Sequence, residues 1–241
     1  MFSLFRRREV VAPVDDVYTL FSDMARQPHL LIAGATGSGK SVVINGIMYN
    51  LLHETPDRAQ FILIDPKRVE LLDYKPMPHC IKYATEPEDR TAALDMALDI
   101  TEQRYKVMAK RGERRYSGGH IYVIIDELAD LMTTQRRDVV PRLQRLCQIG
   151  RAANIHVIAA TQCPLATVIP TQIGVNFDSR VGLRTRNAQD SRNILARTGC
   201  ETLPRYGQGY YMTPEGIQLY KIPMYSDDKR QAVLRYWASV A

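Results

Sequence analysis

At residues 34–41 the chain reads Gly34-Ala35-Thr36-Gly37-Ser38-Gly39-Lys40-Ser41. This stretch matches the pattern G-x-x-x-x-G-K-[ST], and it lies between an apolar run at residues 30–33 and a stretch of helical spacing at residues 40–53. Its glycines let successive backbone N–H groups turn toward one phosphate, and the helix N-terminus adds partial positive charge. The sequence therefore predicts a loop that binds nucleotide phosphates, with Lys40 on the β- and γ-phosphates and Ser41 on Mg²⁺. The order of the glycines does not fit a dinucleotide-binding G-x-G-x-x-G turn.

Two acidic residues, Asp126 and Glu127, follow a second apolar run at residues 121–125. A carboxylate at the end of a strand can hold Mg²⁺, and the next one can polarise an attacking water molecule. An isolated Asp-Glu pair after a strand often marks only the start of a helix, but its occurrence together with Lys40 favours a functional role. We therefore expect Asp126 as a metal ligand, Glu127 as the catalytic base, and Mg²⁺-dependent hydrolysis of ATP.

Polar residues also follow two other predicted strands. Gln162 comes after the run at residues 156–160, where ligands bind in parallel sheets, so it is expected to sense the γ-phosphate or to orient water. The alternative is that Gln162 only begins an ordinary loop and has no role in the site. Asp65-Pro66-Lys67 follows the run at residues 61–64, and there a role at the edge of the site and a simple turn both stay open.

Arg151 precedes the strand that ends near residue 161, so it should lie at the edge of the sheet opposite the phosphate loop. Seven strand residues span roughly 20 Å at about 3.3 Å each, which an arginine side chain cannot cover. If Arg151 meets a nucleotide, it would be that of a neighbouring subunit, as an arginine finger in trans. A surface arginine, or one paired with a carboxylate, is the alternative.

The alternation of short apolar runs with helical stretches predicts an α/β fold, with a mainly parallel sheet covered by helices on both faces. Thr85 is expected to cap a helix at residues 87–111 and Ser226 a final helix, and another helix is predicted at residues 138–149. Residues 1–15 are expected to form a loose arm and residues 16–241 a single domain. Further strands are predicted at residues 180–184, 209–212 and 218–222.

The amino-acid composition and the lengths of the apolar runs limit the classes of protein to which the chain can belong. The 241 residues are 45% hydrophobic and 24% charged, which is typical of a soluble folded domain. No apolar run approaches the roughly 20 residues of a membrane helix, and the charge at residues 6–8 follows the apolar start, unlike a secretory signal. The four cysteines form no C-x-x-C pair, so a zinc site or a disulfide framework is not expected. We expect a cytoplasmic location.

The chain carries a formal net charge of +6, with 32 Lys and Arg against 26 Asp and Glu. The excess is concentrated at residues 101–151 and 178–205, and most of the basic residues are arginines. Solvated helix faces are the ordinary explanation of such clusters. Because arginine fits phosphate geometry, a polyanionic partner is the functional alternative.

Several segments together resemble the motor domain of the FtsK/SpoIIIE DNA translocases. Besides the phosphate loop, the matching segments are Ile64-Asp-Pro-Lys-Arg-Val-Glu-Leu71, Ile125-Asp-Glu-Leu-Ala-Asp-Leu-Met132, Gly150-Arg-Ala-Ala-Asn-Ile-His156, Ala160-Thr-Gln162 and Asp190-Ser-Arg192. The resemblance implies a RecA-like P-loop NTPase that binds ATP and Mg²⁺ and works as a homo-oligomeric ring, usually hexameric, around double-stranded DNA. It also implies that Arg151 is the finger in trans.

The sequence departs from that family at several points. Cys163 stands where the family usually has Arg, residues 171–178 lack a lysine often found there, and the connection at residues 115–120 is shorter than usual. We expect a compact motor from a mobile element, or a truncated paralogue without membrane and sequence-reading domains, with a possible separate membrane-tethering partner. The alternative is a type VII secretion-like ATPase that acts on protein substrates. A purely structural ring subunit does not agree with the intact Lys40, Ser41, Asp126 and Glu127.

Overall fold

The computed structural model describes residues 28–222 and 227–240, which form a single eight-stranded sheet in the order β3-β2-β4-β5-β1-β6-β7-β8. The first six strands in this order run parallel, and β7 and β8 add an antiparallel hairpin at one edge. The strands are β1 (His29–Ala33), β2 (Ala59–Ile64), β3 (Cys80–Ala84), β4 (His120–Ile125), β5 (Ile155–Thr161), β6 (Ser179–Gly182), β7 (Gln208–Thr213) and β8 (Gly216–Lys221).

Helices cover both faces of this sheet. One face packs against Ile47 and Leu51 of α1 and Leu234 of α7, and the other against Ala97 of α2 and Leu143 of α4. The predicted α/β fold with a mainly parallel, doubly covered sheet is therefore confirmed. The helices are α1 (Lys40–Glu54), α2 (Pro87–Arg111), α3 (Leu128–Thr134), α4 (Arg136–Ile149), α5 (Thr171–Gly174), α6 (Ala188–Leu195) and α7 (Asp227–Val240).

The central strands are apolar apart from polar residues near their ends, because both of their faces are buried. In β1, Leu30 and Ile32 enter one core cluster, whereas Leu31 enters the cluster on the opposite face. A continuous apolar run is typical of parallel strands between two helical layers. This arrangement fixes β1, β4 and β5 side by side, and with them the residues that follow each strand.

The structure differs from the sequence predictions at several boundaries. The residue that precedes α2 is Glu86 rather than Thr85, and no side chain caps this helix end. The helix predicted from residue 138 begins at Arg136. Strand β3 was not predicted, because it is a half-buried edge strand with a central lysine, Lys82; short helices α3 and α6 were also missed. The proposed arm at residues 1–15 and the cap at Ser226 lie outside the described residues.

Three histidines lie at the amino ends of the central strands, and two of them, His120 and His156, contact each other. His156 Nδ1 lies 3.2 Å from Pro28 O, and its Nε2 lies 2.8 Å from His120 Nδ1. His29 Nε2 lies 3.0 Å from Cys147 O, and its Nδ1 accepts from Val157 N at 3.1 Å. Because a carbonyl only accepts, His29 donates from Nε2 and accepts at Nδ1, so its ring is neutral; His156 donates from Nδ1, and burial lowers its pKa well below its usual value. Burial lowers the pKa of His29 and of His120 to about 4.

Candidate nucleotide-binding site

The order of the strands brings the predicted site residues to one edge of the sheet. Strand β5 lies between β1 and β4, with Ala33 opposite Thr161 and Ile125 opposite Ala159. The phosphate loop follows β1, Gln162 follows β5, and Asp126 and Glu127 follow β4. Because parallel strands share a carboxyl edge, these residues meet there, at the place where ligands bind in α/β sheets.

The phosphate loop is tied to both neighbouring strands. Gly34 N donates to Thr161 O at 3.3 Å, and Ala35 N donates to Arg184 O at 2.8 Å. A Cβ on Gly34 would lie 2.6 Å from Ser38 Oγ and 2.7 Å from Leu183 Cβ, so this position admits only glycine. Gly37 and Gly39 have φ values of 70° and 102°, which glycine adopts without strain. The loop therefore has the backbone shape of a phosphate cradle.

Lys40 lies folded against this loop at the start of α1. Its Nζ donates to Gly34 O and to Ala35 O, each at 2.9 Å, and the side chain is buried. Burial lowers the pKa of Lys40 to about 8, while Glu127 and Asp126 act in the opposite direction. The ammonium group thus stays largely protonated at neutral pH, close to the position of a bound phosphate.

Asp126 is a buried carboxyl group at the end of β4. Burial raises the pKa of Asp126 to about 7, and the negative charges of Asp65 and Glu70 add to the shift. Burying the negative charge of this carboxyl group is unfavourable, and either a proton or a bound cation offsets that cost. This environment suits a group that ligates a divalent metal ion.

Glu127 is held by contacts from three directions. Its Oε1 accepts from Ala129 N at 3.4 Å, which caps α3, and from Gln162 N at 3.1 Å. Its Oε2 forms an ion pair with Lys67 Nζ at 3.3 Å. The carboxylate is therefore fixed in the site, with 5% of the residue exposed.

Gln162 joins the phosphate loop to Glu127. Its side-chain Oε1 accepts from Thr36 Oγ1 at 2.7 Å, and its backbone N–H donates to Glu127. Sequence reasoning left Asp65-Pro66-Lys67 open between a turn and the edge of the site. The structure places Lys67 in the site through Glu127 and buries Asp65, whose Oδ2 accepts from Leu71 N and from Tyr83 OH, each at 3.1 Å.

Arg151 does not lie with these residues. It precedes β5 at the amino edge of the sheet and is exposed. It lines a cavity of about 270 Å³ together with Arg114, Arg115 and Tyr105, and no acidic side chain lines this cavity. Its position agrees with the geometric prediction that it cannot reach the phosphate loop of its own chain.

The donor set fits a bound Mg²⁺. Ser41 lies half-buried in the first turn of α1, and Asp126 supplies the carboxylate. Mg²⁺ commonly takes only one or two protein ligands and completes its shell with water and phosphate oxygens. Ser38 Oγ is buried inside the loop without a hydrogen-bond partner, which indicates that the loop is shaped around a further polar group. Ser41 and Asp126 are the residues that would hold the ion.

One residue beside the loop escaped sequence reasoning. Arg205 lies between the helical turn at Cys200–Thr202 and β7, more than 160 positions from the loop. A Cβ built on Gly37 would lie 3.3 Å from Arg205 Nη2. No motif marks this arginine, and only the chain path of the structure brings it to the phosphate loop.

Comparison with known proteins identifies the family. A family model for FtsK/SpoIIIE matches residues 15–122 and 119–166. The chain belongs to the FtsK/SpoIIIE family. The DNA translocase FtsK of Rhizobium meliloti (strain 1021) is 36% identical over 263 residues, covering 90% of this chain and 30% of the relative. That of Streptococcus pneumoniae (strain ATCC BAA-255 / R6) is 41% identical over 202 residues, covering 75% and 26%. The chain thus spans about a third or less of these FtsK proteins.

Solved structures agree with the RecA-like P-loop fold predicted for an FtsK/SpoIIIE member. The conjugation coupling protein TcpA of pCW3, solved with ATPγS, has a TM-score of 0.78 at 27% identity, covering 89% of this chain and 66% of its own. The type VII secretion ATPase EccC of Thermomonospora curvata has a TM-score of 0.73 at 22% identity, covering 87% and 28%. The likeness to EccC shows the fold alone. Within the described residues, no helix is both long and apolar enough to cross a membrane.

Proposed function

We propose that this chain is the motor of an ATP-driven translocase of double-stranded DNA. The observation that carries the proposal is the continuous contact from Thr36 through Gln162 to Glu127, beside Lys40 and Asp126. This arrangement joins a phosphate-binding loop to a fixed carboxylate and matches what hydrolysis of a nucleoside triphosphate requires. The similarity to FtsK translocases supports ATP as the hydrolysed nucleotide and DNA as the translocated substrate.

Each residue has a separate role in this proposal. Lys40 and the loop N–H groups bind the phosphates, and Ser41 and Asp126 would hold Mg²⁺, which would supply positive charge beside the phosphates. Glu127 orients the attacking water and accepts its proton, and Lys67 and the Gln162 N–H hold that carboxylate in place. Gln162 links the loop to Glu127, because its side chain accepts from Thr36 of the loop and its backbone N–H donates to Glu127.

A second part of the proposal is a homo-oligomeric ring, hexameric and located in the cytoplasm, in which Arg151 acts on the nucleotide of the adjacent subunit. Arg114, Arg115 and Arg151 line one cavity, and none of the described residues that line it is acidic, so the cavity offers positive charge to an anion. A triphosphate carried by a neighbouring subunit supplies that anion. Each active site is then completed by two subunits.

The proposed DNA contacts involve fewer arginines than the sequence suggests. Arg104 is buried and donates to Ala153 O and Asn154 O, Arg142 is paired with Asp95, and Arg180 donates to three backbone carbonyls. These groups stabilise the fold itself. Exposed basic residues remain at Lys106, Lys110, Arg137 and Arg184 for contacts with the phosphates of DNA, whereas Arg186 is paired with Asp190.

The ATPase rate with and without duplex DNA tests this function. Assembled protein is assayed with Mg²⁺ and ATP, alone and with duplexes of unrelated sequence, at about 50 mM and about 200 mM salt. All duplexes should stimulate the rate similarly at low salt, and the stimulation should disappear at high salt, since phosphate contacts release counterions. Lys40→Ala is the inactive control. A rate that ignores DNA in verified rings would contradict the proposal and favour a protein substrate.

A further inference from the structure

We infer that Arg205 is a second phosphate-binding cation of the nucleotide site in its own chain. The inference rests on the proposed binding of ATP by residues 34–41. It assigns to Arg205 the β- and γ-phosphate region of ATP or the diphosphate of ADP, beside Gly37. Arg205 acts in cis, whereas Arg151 lies at the far edge of the sheet.

The placement of the guanidinium group is the first argument. A Cβ on Gly37 would lie 3.3 Å from Arg205 Nη2 and 3.8 Å from its Nε, so the group lies against the exposed outer side of the loop. Lys40 is buried, and its Nζ donates to Gly34 O and Ala35 O of the same loop. The two cations therefore contact different positions of one phosphate loop.

The second argument is that Arg205 is unpaired. Among the described residues it forms no ion pair or hydrogen bond, and its recorded contact is with the ring of Tyr206, whose centroid lies 5.2 Å from Cζ. The loop beside it already carries Lys40 and the positive end of α1. A cation in this position is unfavourable until an anion occupies the loop, and it is favourable afterwards.

The third argument is that the backbone on both sides of Arg205 is anchored. Leu203 is buried, and its N–H donates to Cys200 O at 3.3 Å. On the other side Gly207 O accepts from Ile222 N at 3.0 Å, and Ile222 Cδ1 lies 3.6 Å from a Cβ built on Gly39. The segment at residues 203–207 is thus held at both ends, and at Gly207 it is linked through Ile222 to the loop, so little ordering is needed before Arg205 binds a phosphate.

Arg197 provides a matched control for this assignment. It lies in the same connection between β6 and β7 and likewise approaches a tyrosine ring, with Cζ 5.7 Å from the centroid of Tyr210. Its Nε donates to Thr198 O at 3.4 Å, and none of the contacts recorded for the glycines of the phosphate loop involves it. Arg197→Ala therefore removes the same charge from the same region without touching the loop.

The test measures the affinities of the full chain for ADP and ATPγS by calorimetry at low salt, in the absence of DNA. Arg205→Ala should weaken both affinities about tenfold, as expected from the loss of one exposed charge-assisted hydrogen bond, and Arg205→Lys should weaken them less. Arg197→Ala should leave them unchanged. The melting temperature of nucleotide-free Arg205→Ala should fall little, because the removed cation has no hydrogen-bond or ion-pair partner among the described residues and an exposed contact with an aromatic ring contributes little.

Two results would overturn the inference: equal affinities in Arg205→Ala and the unsubstituted chain, or equal losses in Arg205→Ala and Arg197→Ala, which would indicate a general effect of surface charge. Failure of the proposed function looks different. In that case the unsubstituted chain itself would bind neither nucleotide, and Lys40→Ala would change nothing.

Discussion

Thr36 Oγ1 donates a 2.7 Å hydrogen bond to Gln162 Oε1, although the two residues lie 126 positions apart in the chain. Thr36 occupies the tip of the phosphate loop, and Gln162 follows the adjacent strand β5. The backbone N–H of Gln162 also donates to Glu127 at 3.1 Å. A change at the tip of the loop therefore reaches the proposed base through a single residue.

Thr36→Val tests this connection, because valine has nearly the volume of threonine and cannot donate a hydrogen bond. We expect ATP turnover to fall about fivefold, as the loss of one exposed hydrogen bond suggests, while nucleotide affinity changes little. Steady-state ATPase assays and calorimetric titration with ADP measure the two quantities. Thr134→Val, which removes a hydrogen bond to Asp130 O within α3, is the control. A loss of affinity without a loss of turnover would show that Thr36 serves binding alone.

Lys40→Ala and Glu127→Gln separate binding from chemistry. Lys40→Ala should abolish nucleotide binding, because it removes the buried ammonium group beside the loop. Glu127→Gln should keep binding and lower turnover by roughly 10² to 10⁴, the usual contribution of a general base. Glutamine retains acceptors for Ala129 N and Gln162 N, so the site should stay folded. Native turnover in Glu127→Gln would contradict the assignment of the base.

The raised pKa of Asp126 predicts a pH dependence of stability. Its pKa is raised from 3.8 to about 7 on folding, so between these values the native state holds a proton that the unfolded chain has lost. The contribution of Asp126 to the free energy of unfolding therefore decreases as pH rises from about 4 to 7. Asp126→Asn removes this contribution.

Urea titrations without metal at pH 5 and pH 8 should show the effect as a difference between the two proteins. Asp126→Asn should gain stability relative to the unsubstituted chain at pH 8 more than at pH 5. Comparing the two proteins at each pH cancels the titration of all groups that they share. An equal difference at both pH values would show that Asp126 titrates normally in the folded protein.

Mixing experiments test the shared site that we propose for Arg151. Arg151→Ala and Lys40→Ala subunits should each be inactive, since an arginine finger in trans contributes about 10³ to 10⁵ in rate. Co-assembled mixtures should recover activity, because some interfaces pair an intact Lys40 with an intact Arg151. Arg145→Ala, at an exposed arginine near Glu102, is the control and should keep activity by itself. No recovery in mixtures shown to co-assemble would argue against a shared site.

The phosphate loop and its strand could be predicted because their chemistry depends on contiguous residues. Gly34, Lys40 and Ser41 are linked by spacing alone, and the apolar runs on both sides fix the context. Asp126 and Glu127 were predictable for the same reason, as they directly follow a buried strand.

The contacts of Lys67 and Arg205 could not be predicted in this way. Lys67 reaches Glu127 because β2 and β4 are neighbours in the sheet, and no local pattern records that pairing. Arg205 lies in the connection between β6 and β7, and only the path of this connection in the folded chain brings it to Gly37. Strand β3 was missed since its edge position leaves it without a continuous apolar run.

Acid changes the stability of the two edges of the sheet in opposite directions, because histidines lie at the amino ends of the strands and Asp126 follows the carboxyl end of β4. His29 donates from one ring nitrogen and accepts at the other, so a second proton would set two N–H groups against each other, and burial disfavours the charged form of His156. The pKa values of His29 and His120 are lowered, so this edge loses stability as pH falls from about 6.5 to 4. The opposite edge, with Asp126, gains stability over the same range. As pH falls from about 6.5 to 4, the protection of backbone amides against exchange should therefore decrease first around His29 and His156, while the phosphate loop keeps its protection.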